Sequence, residues 1–292
     1  MKIIITGAKG QLGNDCIQVL AKDNEVIALG RPDLDITRLD EVNAMIDRLR
    51  PDVLVNCAAY TRVDDCETEK ELARKVNVTG PENLAAGVDR NNGLLIHIST
   101  DYVLDGKKKI PEPYSETDDP SPVSYYGKTK WEGEVAVRNA TDRHVILRTA
   151  WLYGAGGHNF LKTILRLALT DPTRELKVVN DQFGSPTWSY RLAQQIAALI
   201  KSTGRGTYHA TADGYGTWYE LAEYFLTKMN VTHNMIPCTS DEYPLPAPRP
   251  KNSILENRRL KAEGIHVMNR WQADLDQYIA EFGDHLIKQC SV

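Results

Sequence analysis

The chain has 292 residues, 42% hydrophobic and 25% charged, with a formal net charge of -4. That is enough for a sizeable core in one large or two modest domains, and it leaves no cationic excess for a nucleic-acid partner. No apolar stretch approaches the eighteen residues of a membrane span, and the N-terminal run is only Ile3 to Ile5 before Gly7, so neither a membrane partner nor a signal peptide is expected. Five cysteines, at 16, 57, 66, 238 and 290, include no Cys-x-x-Cys pair and read as reduced, mostly buried thiols of a cytoplasmic protein. The dense basic run Lys107 to Lys109 lies in a polar loop and reads as a solvated segment.

In chain order, Ile3, Ile4 and Ile5 end at Thr6, as a parallel strand buried on both faces would. Glycines 7, 10 and 13 follow, then the helical spacing of Leu12, Cys16, Val19 and Leu20. The spacing Gly-x-x-Gly-x-x-Gly differs from Gly-x-Gly-x-x-Gly, yet its physical use is the same. Without Cβ atoms, backbone amides at a helix start can approach a pyrophosphate, and the helix N-terminus favours its charge. A tight strand-to-helix turn without a ligand would read alike. A second strand over Glu25 to Leu29 ends at Gly30-Arg31, where such folds read the adenosine ribose. Arg31 is either an exposed loop residue or a partner for a 2′-phosphate, and the second option favours NADPH over NADH.

A helix over Leu39 to Leu49 is stopped by Pro51, and a third strand runs from Val53 to Cys57. Ala58 and Ala59 then leave room for a ligand or for close packing. Glu67 to Asn91 reads as one long helix that Pro81 kinks or divides. A fourth strand, Leu94 to Ile98, delivers Thr100 and Asp101 beyond its carboxyl end, where ligands sit in open α/β sheets. Ser124 should cap a helix carrying Tyr126 and Lys130, four apart and so on one face. The ammonium is expected to lower the phenol's pKa and ready it for proton transfer. Tyr224 and Lys228 repeat the spacing, but beside Leu221 and Phe225 they read as structural. Trp151 follows a strand over Val145 to Thr149, and its indole suits a sugar face. Helices over Phe160 to Leu169, Ser189 to Ile200, Thr217 to Met229 and Trp271 to Lys288, with strands at Leu176 to Val179 and Gly206 to Ala210, complete the pattern. The proline-rich Tyr243 to Pro250 is extended, and Arg249 within it is suited to a diphosphate or to solvent.

Ser99-Thr100-Asp101-Tyr102-Val103 together with Tyr126-Gly127-Lys128-Thr129-Lys130 resembles the dTDP-4-dehydrorhamnose reductase family, in the extended branch of the short-chain dehydrogenase/reductase superfamily. The resemblance continues through Arg148 to Gly154, Asn159-Phe160, Val178 to Thr187 and Arg249 to Ser253. It implies an α/β fold, with a Rossmann-type doubly wound parallel sheet and a smaller, mainly helical substrate-binding domain. The cofactor domain would take residues 1–155 and roughly 187–211, and the substrate domain roughly 156–186 and 212–292. The implied reaction is NADPH- or NADH-dependent reduction of the C4 keto group of dTDP-4-dehydro-L-rhamnose, the last step of dTDP-rhamnose biosynthesis.

By the same resemblance Tyr126 protonates the carbonyl oxygen, Thr100 donates to it, and Lys130 holds the nicotinamide ribose. Asp101, Trp151 and Arg249, with Thr100, would hold the dTDP-sugar. Gly7, Gly10, Gln11, Leu12, Gly13, Arg31, Asp35, Ile36, Ala59, Tyr60 and Thr61, with Tyr126 and Lys130, would contact the cofactor. Some members form a magnesium-linked dimer through acidic residues, and the matching positions here include Asp15 and Tyr190. A phenol is a poor magnesium ligand, so the expectation is no metal, and a monomer or a homodimer without a metal bridge. Leu104 stands where phenylalanine is usual. A related nucleotide-sugar epimerase or dehydratase, or a non-catalytic dinucleotide-binding regulatory protein, is the alternative. A dehydratase typically has acid residues directly after its threonine, whereas Asp101 is followed by Tyr102.

Overall fold

In the computed structural model, residues 1–291 are described. The chain runs β1 (Lys2–Thr6), α1 (Gln11–Leu20), β2 (Glu25–Leu29), α2 (Leu39–Leu49), β3 (Val53–Asn56), α3 (Lys70–Arg74), α4 (Gly80–Arg90), β4 (Leu94–Thr100), α5 (Tyr125–Ala140) and β5 (His144–Thr149). It continues through β6 (Leu152–Tyr153), α6 (Phe160–Thr170), β7 (Glu175–Val179), β8 (Phe183–Gly184), β9 (Thr187–Trp188), α7 (Ser189–Lys201) and β10 (Gly206–His209). The last elements are β11 (Gly216–Thr217), α8 (Trp218–Lys228), β12 (Asn234–Cys238), α9 (Arg258–Ala262) and α10 (Trp271–Cys290).

Six parallel strands form the main sheet in the order β10-β5-β4-β3-β1-β2. Because successive side chains on a strand point to opposite faces, the isoleucine run divides its burial. Ile3 and Ile5 pack with Leu12 and Cys16 of α1 and Leu192 and Ile196 of α7. Ile4 packs on the other face with Val42 and Ile46 of α2, Leu84 of α4 and Val137 of α5. The sheet is therefore a middle layer between two sets of helices, the doubly wound α/β arrangement. Chain order reverses at β1, with β2 on one side and β3 on the other. A crevice opens beyond the carboxyl ends of strands at such a reversal.

A separate core is built mainly from later residues. Leu161 and Leu165 of α6, Leu221 and Phe225 of α8, and Leu275 and Tyr278 of α10 pack with Tyr153 and Trp188. β7 pairs in parallel with β12, a strand absent from the sequence reading, which disposed only β7 there.

The expected long helix from Glu67 to Asn91 is interrupted. A single helical turn at Asp65–Glu67 precedes α3, and Lys75–Thr79 winds as a π-turn before α4. Pro81 sits in the first turn of α4, where its missing N–H costs no hydrogen bond. Asn77, in the π-turn, turns inward to accept from the Tyr60 N–H at 2.8 Å and to donate to the Tyr60 carbonyl and the Thr129 hydroxyl, both at 3.1 Å. The break thus fastens the loop after β3 to α5.

Candidate active site

β1 leaves the sheet at Gly7, whose φ of +66° suits glycine, and a Cβ there would stand 2.6 Å from the Ala58 nitrogen. Gly13 faces the Gly7 carbonyl so closely that any side chain would collide with it. Gly10 is the N-cap of α1 and offers no side chain to the helix's free N–H groups, and the first turn holds no acidic residue. A bare positive helix end therefore faces the crevice, as a pyrophosphate requires. The crevice is a cavity of about 870 Å³.

Its wall collects nearly all the residues singled out from sequence. Gly7, Gly10, Gln11, Leu12, Gly13, Arg31, Asp35 and Ile36 line one part, and Ala59, Tyr60 and Thr61 the middle. Thr100, Asp101, Tyr126, Lys130 and Trp151 line the rest. Lys9 also lines the cavity, and its side chain passes over Gly30. Around Gly30 and Arg31 the acids are engaged by the local backbone. Asp33 accepts the Gly30 N–H at 2.8 Å, and Asp35 accepts the Thr37 N–H and hydroxyl, which hold its carboxyl below the usual range. Lys9 and Arg31 remain as exposed cations, a pairing that fits a 2′-phosphate.

At the opposite end Ser124 caps α5, accepting the Gly127 N–H at 3.1 Å, and the helix carries Tyr126 and Lys130 into the cleft. Tyr126 is 8% exposed and Lys130 2%. The Thr100 hydroxyl donates to Asp101 at 2.9 Å. Asp101 is almost completely buried, its other carboxylate oxygen makes no hydrogen bond of good geometry, and burial pushes its carboxyl up to about 6 against the opposing influence of the nearby Ser253 and Thr100 hydroxyls.

Tyr126 departs from expectation. Burial, and then the Asp101 charge, raise its pKa above that of an ordinary tyrosine instead of Lys130 lowering it. The Lys130 ammonium donates to the Ile98 carbonyl at 2.6 Å, and burial brings it down to about 8. In the dry pocket desolvation outweighs pairing, so the phenol keeps its proton and is equipped to donate it.

Trp151 has a φ of +47° and lies flat against Trp218, with ring centres 3.7 Å apart and planes 9° from parallel. One indole face is therefore already covered, and Gly184 presses against the ring as well. Trp218, which also lines the cavity, was missed from sequence because it opens an amphipathic helix and reads as packing. Arg249 lies outside this cavity's wall. Its guanidinium grips Asp64 at 2.7 and 2.8 Å, next to a smaller cavity of about 530 Å³ with Lys107, Lys109 and Lys251 on its rim. Tyr224 and Lys228 share Asp276 on the surface, as a structural pair would.

Asp15 accepts a hydrogen bond from Ser189, and the Tyr190 ring packs on Trp188. Among the described residues, no three His, Cys, Asp or Glu side chains gather as metal ligands, and no helix is long and apolar enough to cross a membrane.

Residues 1–283 match the family described as RmlD substrate binding domain. A dTDP-4-keto-6-deoxy-D-glucose reductase of Streptomyces niveus is 40% identical over 94% of this chain and 95% of its own length. Among solved structures, a dTDP-4-dehydrorhamnose reductase from Clostridium acetobutylicum is 43% identical, with a TM-score of 0.93 over 97% of this chain and 99% of that one. The enzyme of that name from Bacillus anthracis, solved in complex with NADP, is 37% identical, with a TM-score of 0.92 over 96% and 99%.

Proposed function

The chain belongs to the dTDP-4-dehydrorhamnose reductase family, and from that premise we propose that it is an NADPH-dependent oxidoreductase that converts dTDP-4-dehydro-L-rhamnose to dTDP-L-rhamnose. The carrying observation is that Thr100, Tyr126 and Lys130 share one cavity with the glycine turn and bare N-terminus of α1.

Bound NADPH supplies the hydride. The residues of this chain do the rest. Gly7, Gly10 and Gly13 let the backbone approach a pyrophosphate, and Lys9 and Arg31 offer charge to a 2′-phosphate. Lys130 holds the nicotinamide ribose. As negative charge develops on the C4 oxygen, Thr100 donates a hydrogen bond to it and Tyr126 passes it a proton. The Thr100 hydroxyl points its hydrogen at Asp101, so donation to the substrate requires the hydroxyl to turn. The free Asp101 oxygen accepts a sugar hydroxyl, and the exposed edge of the Trp151–Trp218 stack forms an apolar floor. Arg249 would reach the diphosphate by exchanging Asp64 for it.

Residues 1–155 and about 187–211 form the cofactor domain in this reading and the remainder the substrate domain, except that Leu260 of α9 and Ile265 pack in the core of the main sheet. The enzyme works in the cytoplasm as a monomer or a homodimer, without a metal bridge because Tyr190 offers a phenol in place of a carboxylate. A second reading, reduction of another dTDP-4-keto-6-deoxy sugar, draws on the Streptomyces niveus relative. The deciding assay follows loss of reduced-nicotinamide absorbance with dTDP-4-dehydro-L-rhamnose and with dTDP-4-keto-6-deoxy-D-glucose in parallel. Turnover of the rhamnose precursor supports the first reading. Turnover of the glucose derivative alone replaces it with the second, and NADPH binding without consumption of either sinks both.

A further inference from the structure

Glu134 stands one turn after Lys130 on α5 and is completely buried. Its carboxylate accepts four hydrogen bonds from three residues. One oxygen accepts the Ser99 hydroxyl at 2.6 Å and Arg148 Nε at 2.9 Å. The other accepts Arg148 Nη2 at 2.8 Å and Arg138 Nη2 at 2.7 Å. Ser99 immediately precedes Thr100 in β4, and Arg148 is its register partner in β5. A single side chain therefore ties the helix bearing Tyr126 and Lys130 to the strand end bearing Thr100. Well-packed apolar residues would hold such an interface as firmly as buried ions do, so packing alone does not call for a carboxylate here.

We propose that Glu134 is a positioning residue of the reduction: its carboxylate fixes Tyr126 and Lys130 relative to Thr100, and its charge keeps the Lys130 ammonium protonated at the bottom of the cleft. The proposal rests on the roles given above to Tyr126 and Lys130.

The titratable and charged groups around Lys130 come from every packed element. α5 contributes Tyr126 and Glu134, the end of β3 Cys57, and β4 His97, which burial and then Lys130 itself keep neutral. Arg148 of β5 and Arg138 of α5 stand across Glu134. Against the burial that brings Lys130 down to about 8, Glu134 is the leading opposing influence, followed by Cys57. A neutral residue at 134 would remove that support. Lys130 would then lose its proton at a lower pH.

The test compares wild type with Glu134→Gln and Ser99→Ala, each checked for folding by circular dichroism. NADPH binding is followed by nicotinamide fluorescence between pH 6 and 9.5, and kcat is measured with the sugar substrate. Glu134→Gln should lower the alkaline midpoint of NADPH binding by about one pH unit or more and reduce kcat at least roughly tenfold at pH 6.5. Ser99→Ala keeps every charge and should lower kcat with the midpoint unmoved. A folded Glu134→Gln protein whose midpoint matches wild type overturns the electrostatic role, and unchanged kcat in Ser99→Ala overturns the positioning role. If Glu134→Gln does not fold, Glu134→Asp takes its place: the wild-type midpoint with reduced kcat supports the proposal, and an unaltered kcat overturns it. A wild type that binds NADPH but turns over no sugar defeats the reductase reading, while the binding midpoints still decide the charge role of Glu134.

Discussion

Tyr126 and Asp101 share a dry corner where burial works against ionisation of both. Tyr126→Phe deletes the proposed proton donor without changing the packing. Its kcat should fall on the order of 10²-fold or more, with the NADPH dissociation constant, read by fluorescence, unchanged. Asp101 makes stability depend on pH with a definite sign. Its carboxyl titrates near 6 folded, against 3.8 for the ordinary value, so the folded chain holds this proton more tightly than the unfolded chain does. The resulting stability is present below pH 3.8 and is lost as pH rises through 6. Asp101→Asn avoids that loss. It should resist urea better than wild type at pH 7.5, by up to about 3 kcal/mol, and show little gain at pH 4. Its KM for the sugar nucleotide should rise roughly tenfold as a charged acceptor is lost. At this scale the gathering of Thr100, Tyr126 and Lys130 in one cavity was legible, because Tyr126 and Lys130 are four apart on one helix and Thr100 ends a strand. Trp218 was not, because 67 sequence positions separate it from Trp151 and only tertiary folding stacks the two rings.

Among the elements, α5 shows how close approach selects residues. Gly133 lies against the Asn77 carbonyl of the π-turn, where a Cβ has no room. Gly133→Ala must push the turn away, loosening the Asn77 bonds to Tyr60 and Thr129. It should cost about 1–3 kcal/mol, the usual scale of overpacking, measured as a lower urea midpoint. NADPH should also bind more weakly, because Tyr60 loses its anchor. The division of the 67–91 segment was only half legible: Pro81 announced a break, but the π-turn depends on Asn77 meeting a loop and a helix from elsewhere in the chain. β1 was legible almost to the residue, since three isoleucines ahead of a glycine turn satisfy both faces of a buried parallel strand. β7 alone gave no hint of β12, 55 residues further on, because strand pairing is a non-local choice.

Across the whole molecule, later segments return to earlier ones at the glycine turn. Asn159 donates to Gln11 at 3.0 Å and to the Gly154 carbonyl at 2.9 Å, and the Tyr278 hydroxyl reaches that same carbonyl at 3.0 Å. On the other side of the cleft, Asp64 accepts the Ala247 N–H and the Arg249 guanidinium, fastening the proline-rich segment to the loop after β3. Asp64→Ala should release that strap, and limited proteolysis should then cut between Tyr243 and Pro250 faster than in wild type. Arg249 shows why this level was illegible: its residue type suits a diphosphate, but its resting partner lies 185 positions away.

The sixth strand of the sheet, β10, ends at His209, long after β5. Until it leaves the ribosome, β5 has a bare edge and the α1 side of the sheet lacks Leu192, Ile196 and Leu199 of α7. Vectorial synthesis therefore delivers the whole glycine turn early but cannot close the layer around it. A fragment ending at residue 155 should pellet or elute as aggregate in size-exclusion chromatography, since an unpaired strand and an uncovered apolar face both recruit other chains. A nascent chain paused short of His209 would for the same reason be a client for holdase chaperones, although every residue of its glycine motif has already been made.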